Sequence, residues 1–136
     1  MDRNLQLLGI MKKAGFLAIG SDAAAAAARS GKVALVISAS DATEGALRRA
    51  RHIAGYARAE HVVAPYTKFE LGNVTGRGSP GTIAVLDAGL AAGFVRNLAE
   101  SAPEQYGEIS GLLASKAGSQ TEKRKPTPSG KRRTVK

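Results

Sequence analysis

The chain has 136 residues and a formal net charge of +9, which suits one compact domain with an anionic partner such as nucleic acid. It has no cysteine, which excludes disulfides, thiolate catalysis and cysteine zinc sites and fits a reducing cytoplasm. Because it has only two histidines, no apolar run near the roughly 18 residues of a membrane span and no secretory pattern at the N-terminus, we expect a cytoplasmic protein without a metal, a cofactor or a membrane segment.

The N-terminal part of the chain predicts two helices and two strands. Apolar residues share one helical face over residues 3–14, and the apolar segment 16–19 predicts a short strand. The next helix is predicted to have Ser21 as its N-cap, to contain six consecutive alanines and to end at Gly31. The continuously apolar run 33–38 is typical of a strand covered on both faces, so we expect it inside the sheet.

The following part alternates in the same way. Residues 43–59 have an amphipathic pattern that points three arginines outward, residues 61–66 predict a strand, and a helix starting at Thr67 has the capping-box spacing. Residues 82–87 predict the last strand, and residues 88–100 predict the last helix of the core. Strands that alternate with helices indicate a three-layer α/β/α sandwich of about 100 residues.

The positive charge is concentrated towards the C-terminal end. Residues 1–100 contain 12 Lys or Arg against 8 Asp or Glu, whereas residues 101–136 contain 8 against 3. The last quarter has prolines and a glycine between two basic clusters, and burial of its few apolar residues cannot offset the entropy of ordering it. We therefore predict a globular domain over 1–100 and a basic, disordered tail over 101–136, which attracts phosphate or serves only solubility.

No pattern in the chain indicates an active site. The segment GRGSPG at 76–81 has the spacing of a dinucleotide-binding loop, but it leaves a helix and enters a strand, the reverse of the order that places phosphate at a helix N-terminus. Neither His52 nor His61 has a carboxylate at motif spacing, so both are interpreted as surface or partly buried histidines. We expect no catalytic residue and no enzyme activity.

Three segments, taken in order, carry a resemblance to a known group of proteins. They are LLGIMKKAGFLAIGSD at 7–22, SGKVALVISASDA at 30–42 and TKFELGNVTGRGSPGTIAVLD at 67–87. Over residues 3–98 the chain resembles the ribosomal protein L-seven-Ae and L-thirty-e superfamily, whose members bind RNA kink-turns, and it looks especially like bacterial ribosome-associated paralogues. The resemblance implies an L-thirty-e-like fold with a four-stranded mixed sheet, and a role in translation as a ribonucleoprotein component.

The resemblance also places an RNA-contacting motif at the start of the alanine helix. Kink-turn binders have G-[TA]-N-E-x-x-K there; Gly20 and Ser21 match its first two positions, whereas Asp22 replaces Asn. Ala23 and Ala26 replace the Glu and Lys that read bases, and alanine offers no polar group to a base edge. The resemblance therefore implies RNA binding mainly through phosphates, with reduced base readout.

Other positions extend this expected site. Lys68 falls on the lysine of the family motif SK-x-x-LG, Thr43 replaces an acidic contact seen in some members, and the loop 76–82 corresponds to a segment that packs on an extruded nucleotide. The residues expected to contact RNA are Gly20, Ser21, Asp22, Arg29, Lys32, Thr43, Lys68, Arg77, Gly78, Ser79 and Pro80. A cationic rim around the N-terminus of the alanine helix is expected from four of them, Arg29, Lys32, Lys68 and Arg77.

These features together predict a noncatalytic monomer that binds structured ribosomal or other noncoding RNA. The free amides and the dipole at a helix N-terminus attract phosphate, and cations around it would position the backbone. The alternative is a protein-interaction adaptor, because function does not follow from a fold.

Overall fold

The computed structural model describes residues 2–124. Ten elements follow one another along the chain: α1 Arg3–Lys13, β1 Leu17–Ile19, α2 Ser21–Arg29, β2 Leu35–Ser38, α3 Glu44–Ala57, β3 Glu60–Val63, α4 Lys68–Thr75, β4 Thr82–Val85, α5 Ala88–Ser101 and α6 Pro103–Arg124. Over residues 2–101 these are the elements that the sequence predicts, with small differences at their ends. Nowhere in the described part of the chain is a helix both long enough and apolar enough to cross a bilayer.

The four strands form one mixed sheet in the order β1-β4-β2-β3. β4 is antiparallel to both of its neighbours, whereas β2 and β3 are parallel. β2 is an internal strand whose four residues are all buried, so the prediction from its continuously apolar run is confirmed. The mixed α/β fold with a four-stranded mixed sheet is therefore the observed architecture.

Helices cover both faces of this sheet. Alternate residues of β2 point to opposite faces, so that Leu35 and Ile37 join the core under α1, α4, α5 and α6, while Val36 joins the core under α2 and α3. We call these two coverings the four-helix layer and the two-helix layer. The first contains large apolar side chains, and the second consists mostly of alanine.

The predicted tail is wrong over residues 103–124, which form α6. Tyr106 and Leu113 of this helix are buried in the core of the four-helix layer, and Ile109 is partly buried beside them. These residues recur at helical spacing, a pattern that the high charge of the last quarter of the sequence obscures. The core thus extends past α5, and the domain does not end at residue 100. The rest of the predicted tail, residues 125–136, lies outside the described residues.

α6 also covers an edge of the sheet. The hydroxyl of Tyr106 donates a hydrogen bond to the backbone oxygen of Val63 at 2.7 Å, and Nζ of Lys116 lies 3.2 Å from Oε2 of Glu60. Both partners belong to β3, which is an edge strand. Exposed edge strands offer unpaired backbone groups to other chains, so α6 shields a surface that could otherwise pair with another strand.

Candidate nucleic-acid interface

Strand direction brings three helix N-termini to one edge of the sheet. β1, β2 and β3 run in the same direction, because β1 and β2 are both antiparallel to β4 while β2 is parallel to β3. A helix follows each of them, so α2, α3 and α4 all begin at this edge, and the loop that enters β4 lies there too. We call it the helix-start edge and define it by residues 20–22, 41–44, 67–68 and 76–81. Helix N-termini carry free amides and a partial positive charge, which favour anions.

The start of α2 has no side-chain cap. Its N-cap is Gly20, which has a φ of 95° that favours glycine, and the amide of Gly20 donates to the backbone oxygen of Thr82 at 2.8 Å. Ser21, predicted as the N-cap, is instead the first helical residue, and its Oγ accepts a hydrogen bond from Nη1 of Arg49 at 3.0 Å. The prediction fails because the left-handed backbone of Gly20 moves the cap one residue earlier.

Arg49 connects the start of α2 to α3. Its Nη2 lies 3.0 Å from Oδ1 of Asp22, whose side chain is otherwise open to solvent. The sequence places Arg49 on the outer face of α3 but does not show that this face borders α2, so the residue was missed as a candidate for the interface. The guanidinium offsets the carboxylate charge of Asp22, which would otherwise repel an anion at the helix start.

The starts of α3 and α4 are capped by their own side chains. Thr43 accepts a hydrogen bond from the amide of Ala46 at 3.1 Å, and Thr67 and Glu70 form the predicted capping box. The amide of Lys68 donates to Oδ1 of Asp41 at 2.9 Å. These bonds occupy first-turn amides of α3 and α4, so α2 is the helix of this edge that lacks a side-chain cap. Thr43, expected to contact RNA, serves here as a helix cap.

Lys68 lies beside the entry into β4. A methyl group placed on Gly81 would lie 3.7 Å from Cδ of Lys68, so the stem of this lysine packs over that glycine. The next residue, Thr82, holds the amide of Gly20. The first turns of α2 and α4 are therefore both attached to the start of β4, and the Lys68 cation belongs to the helix-start edge.

The loop 76–80 rests directly on α4. A Cβ atom at Gly72 would fall 1.8 Å from the backbone oxygen of Gly78, so only glycine permits this contact between loop and helix. Arg77, Gly78 and Ser79 are exposed, and Pro80 is half-buried. This packing places the backbone of Arg77 beside Gly72, one helical turn along α4 from Lys68.

The predicted rim of four cations does not form. Arg29 is the last residue of α2, about 12 Å from Ser21 at about 1.5 Å per residue, and Lys32 follows it towards the opposite edge of the sheet. The prediction of this rim is wrong because Arg29 and Lys32 lie at or after the end of α2, and the length of the helix separates them from its start. The cations at the helix-start edge are instead Lys68, Arg77 and Arg49.

A partly buried hydrogen bond links Ser38 and His61 beneath the two-helix layer. Oγ of Ser38 lies 2.8 Å from Nε2 of His61, and burial together with the charge of Arg51 lowers the pKa of this histidine. Ser38 is fully buried, so its hydroxyl cannot reach a substrate and the pair has a structural role. Within residues 2–124, no group of three or more His, Cys, Asp or Glu side chains is placed to bind a metal ion.

A cleft of about 500 Å³ lies between the start of α1, the end of α5, the start of α6 and the segment before α4. Its polar groups bond to one another: the hydroxyl of Tyr66 donates to Oδ1 of Asp2 at 2.9 Å, and Arg3 pairs with Glu100 at 2.6 Å. Burial and the neighbouring Asp2 raise the pKa of Tyr66, which keeps its proton on the donating oxygen. These contacts stabilise the packing of the N-terminus, and we assign the cleft no ligand.

Comparison with known proteins identifies a fold relative of unknown role. No protein-family model matches the sequence, and no curated protein matches it. Among solved structures, the chain is similar to a protein with unknown function from Bacillus halodurans, with a TM-score of 0.64 and 27% sequence identity. The likeness covers 71% of this chain and 97% of that one. The relative supports the mixed α/β fold.

Proposed function

We propose that the protein binds structured RNA at the helix-start edge and catalyses no reaction. The proposal places it in the L-seven-Ae and L-thirty-e superfamily, with an L-thirty-e-like version of the observed α/β fold. Its partner would be ribosomal or other noncoding RNA in the cytoplasm. The observation that carries the proposal is the convergence of three helix N-termini, one of them without a side-chain cap, beside three cationic side chains.

The chemistry of the edge favours phosphate over base recognition. The uncapped start of α2 offers backbone amides, and Lys68 and Arg77 offer positive charge, which are the usual partners of phosphate oxygens. Ala23 and Ala26 are exposed on α2 but have no polar side-chain atoms with which to read a base. Asp22 is paired with Arg49. RNA shape and charge would therefore be recognised more strongly than RNA sequence.

Two of the three acidic residues at this edge are paired. Oδ1 of Asp41 accepts a hydrogen bond from the amide of Lys68, and Asp22 pairs with Arg49, so these two carboxylates hold the edge together, whereas Glu44 is exposed in the first turn of α3. A carboxylate that is paired in this way presents less negative charge to an approaching phosphate than a free one.

The test removes the cations that the structure places at this edge. The double variant Lys68→Ala with Arg77→Ala should weaken binding to a fluorescent kink-turn RNA and to a ribosomal RNA fragment, measured by anisotropy between about 50 and 200 mM salt. The slope of the logarithm of the binding constant against the logarithm of the salt concentration should become shallower by about two. Each phosphate contact that is lost lowers the magnitude of this slope by about 0.9.

A matched control carries the same loss of charge elsewhere. Lys12→Ala with Lys13→Ala changes two exposed lysines at the end of α1, which precedes β1 and so lies at the opposite edge of the sheet. This variant should keep the original slope. An equal loss in both double variants would show that binding follows net charge and not this edge, and absence of RNA binding would favour the adaptor alternative.

A further inference from the structure

A groove separates the two helices of the two-helix layer. α2 and α3 begin at the same edge and run side by side, and between them lies a cleft of about 220 Å³. On the α2 side it is lined by Ala25, Ala28 and Arg29, and on the α3 side by His52, Ile53 and Tyr56. We call it the α2–α3 groove. Because the alanine side chains are short, they leave it unfilled.

Tyr56 is the unusual residue of this groove. The other two tyrosines of the chain, Tyr66 and Tyr106, are buried and donate hydrogen bonds within the protein, whereas Tyr56 is 65% exposed. A large exposed ring at the mouth of an apolar groove is a suitable surface for stacking a planar ligand. Exposed aromatic side chains in nucleic-acid-binding proteins stack unpaired bases in this way.

The charge around the groove selects an anionic ligand. Arg29 lines one end of the groove, whereas Arg49, towards the other end of the same side of α3, is paired with Asp22. None of the six lining residues is acidic. An arginine beside an aromatic ring suits a nucleotide, whose phosphate and base need these two kinds of partner, better than an apolar peptide segment.

We propose that the α2–α3 groove binds an unpaired nucleotide of the RNA, with its base stacked on Tyr56 and its phosphate near Arg29. This inference rests on the proposed RNA binding and adds to it a second subsite with its own ligand class. The groove runs along α2 and α3 from the edge at which both helices begin, so one RNA strand can continue from the helix-start edge into the groove. The preferred RNA is then structured RNA that continues into a single-stranded segment.

The test compares RNA hairpins with and without such a segment. One blunt hairpin and two derivatives, with an unpaired uridine tail at the 5′ or the 3′ end, are titrated into the full-length protein. One of the tailed hairpins should bind about tenfold more tightly than the blunt one, the gain expected of one stacked base. Tyr56→Ala should abolish this gain without changing affinity for the blunt hairpin, and Tyr56→Phe should preserve it.

A control variant and a crosslink make the test specific. Ile10→Ala removes another exposed apolar side chain, on α1 in the four-helix layer, and should leave the gain intact. Ultraviolet crosslinking to the tailed hairpin should modify the tryptic peptide HIAGYAR, His52–Arg58, which contains Tyr56.

The outcomes separate this inference from the proposed function. If blunt and tailed hairpins bind equally, or if Tyr56→Ala keeps the full gain, the groove proposal is wrong while RNA binding at the helix-start edge stands. If none of the three hairpins binds, both proposals are wrong.

Discussion

The two faces of the sheet are covered in opposite ways. The four-helix layer buries large side chains such as Phe94, Leu8 and Met11, which are completely inaccessible to solvent. The two-helix layer fills its core mainly with alanines, among them Ala24 and Ala50, so its helices lie close to the sheet with little side-chain volume between them. Because hydrophobic stabilisation scales with the apolar area removed from water, most of it must come from the four-helix layer.

This difference concerns one part of the proposed binding surface, because α4, which carries Lys68, belongs to the four-helix layer. The residues of the α2–α3 groove, together with Arg49 and the uncapped start of α2, belong to the two-helix layer, where large core side chains are not needed. A thin layer of this kind brings backbone amides and outward cations to the surface. The contrast between the two layers also predicts opposite effects of core mutations on stability. Truncation of a core side chain should destabilise the four-helix layer, and enlargement of one should destabilise the two-helix layer.

The largest expected effect is truncation in the four-helix layer. Phe94→Ala should lower the free energy of unfolding by about 3–5 kcal/mol, because it removes a fully buried ring and leaves a cavity against Tyr66, whose ring centroid lies 6.4 Å away. Urea unfolding measures the change. Phe69→Ala is the matched control, because Phe69 is 69% exposed and its loss should change stability by about 0.5 kcal/mol or less. Equal losses in the two variants would contradict the assignment of the main core.

Enlargement in the two-helix layer should have the next largest effect. Ala24 lies on the face of α2 that packs on the sheet and is completely buried. Ala24→Leu should therefore lower the free energy of unfolding by about 1–3 kcal/mol, because the larger side chain overpacks this contact. Ala26→Leu adds the same atoms at an exposed position of the same helix and should be nearly neutral. Urea unfolding of both variants checks the result. A neutral Ala24→Leu would mean that this layer is loosely packed, and the contrast between the two faces would disappear.

The smallest effect concerns the histidine beneath the two-helix layer. Burial and the charge of Arg51 lower the pKa of His61 below its ordinary value of 6.5, so the folded state binds this proton more weakly than the unfolded state does. The stability contributed by neutral His61 is therefore present above pH 6.5 and is lost as the pH falls through the lowered pKa.

Unfolding at a series of pH values measures this dependence. His61→Gln, which cannot take up the proton, should flatten the decrease in stability below pH 6.5, whereas His52→Gln, at an exposed position of α3, should keep it. A slope unchanged by His61→Gln would show that other groups cause the loss of stability in acid.

Local patterns in the sequence determined most of the secondary structure. The capping box of Thr67 and Glu70 and the continuously apolar run that became β2 depend only on neighbouring residues, and both were predicted correctly. α6 was missed because the basic clusters within residues 123–136 dominate the composition of the last quarter of the sequence. Its burial depends on the surface of α5 and β3, which no local pattern describes.

The tertiary structure decided which cationic residues lie at the helix-start edge. The sequence grouped Arg29 and Lys32 with Lys68 and Arg77, but the length of α2 separates the first two from the helix-start edge. Arg49 joined the edge because α2 and α3 pack side by side.

Except for α6, the sequence by itself determined where helices and strands form, since spacing and capping act within a few residues. Only the tertiary structure decided which charges meet, because that depends on strand direction and on which end of each helix faces the shared edge. Gly72 illustrates the difference. Its need for glycine comes from the backbone of Gly78, which contacts it across a turn that residue spacing alone does not specify.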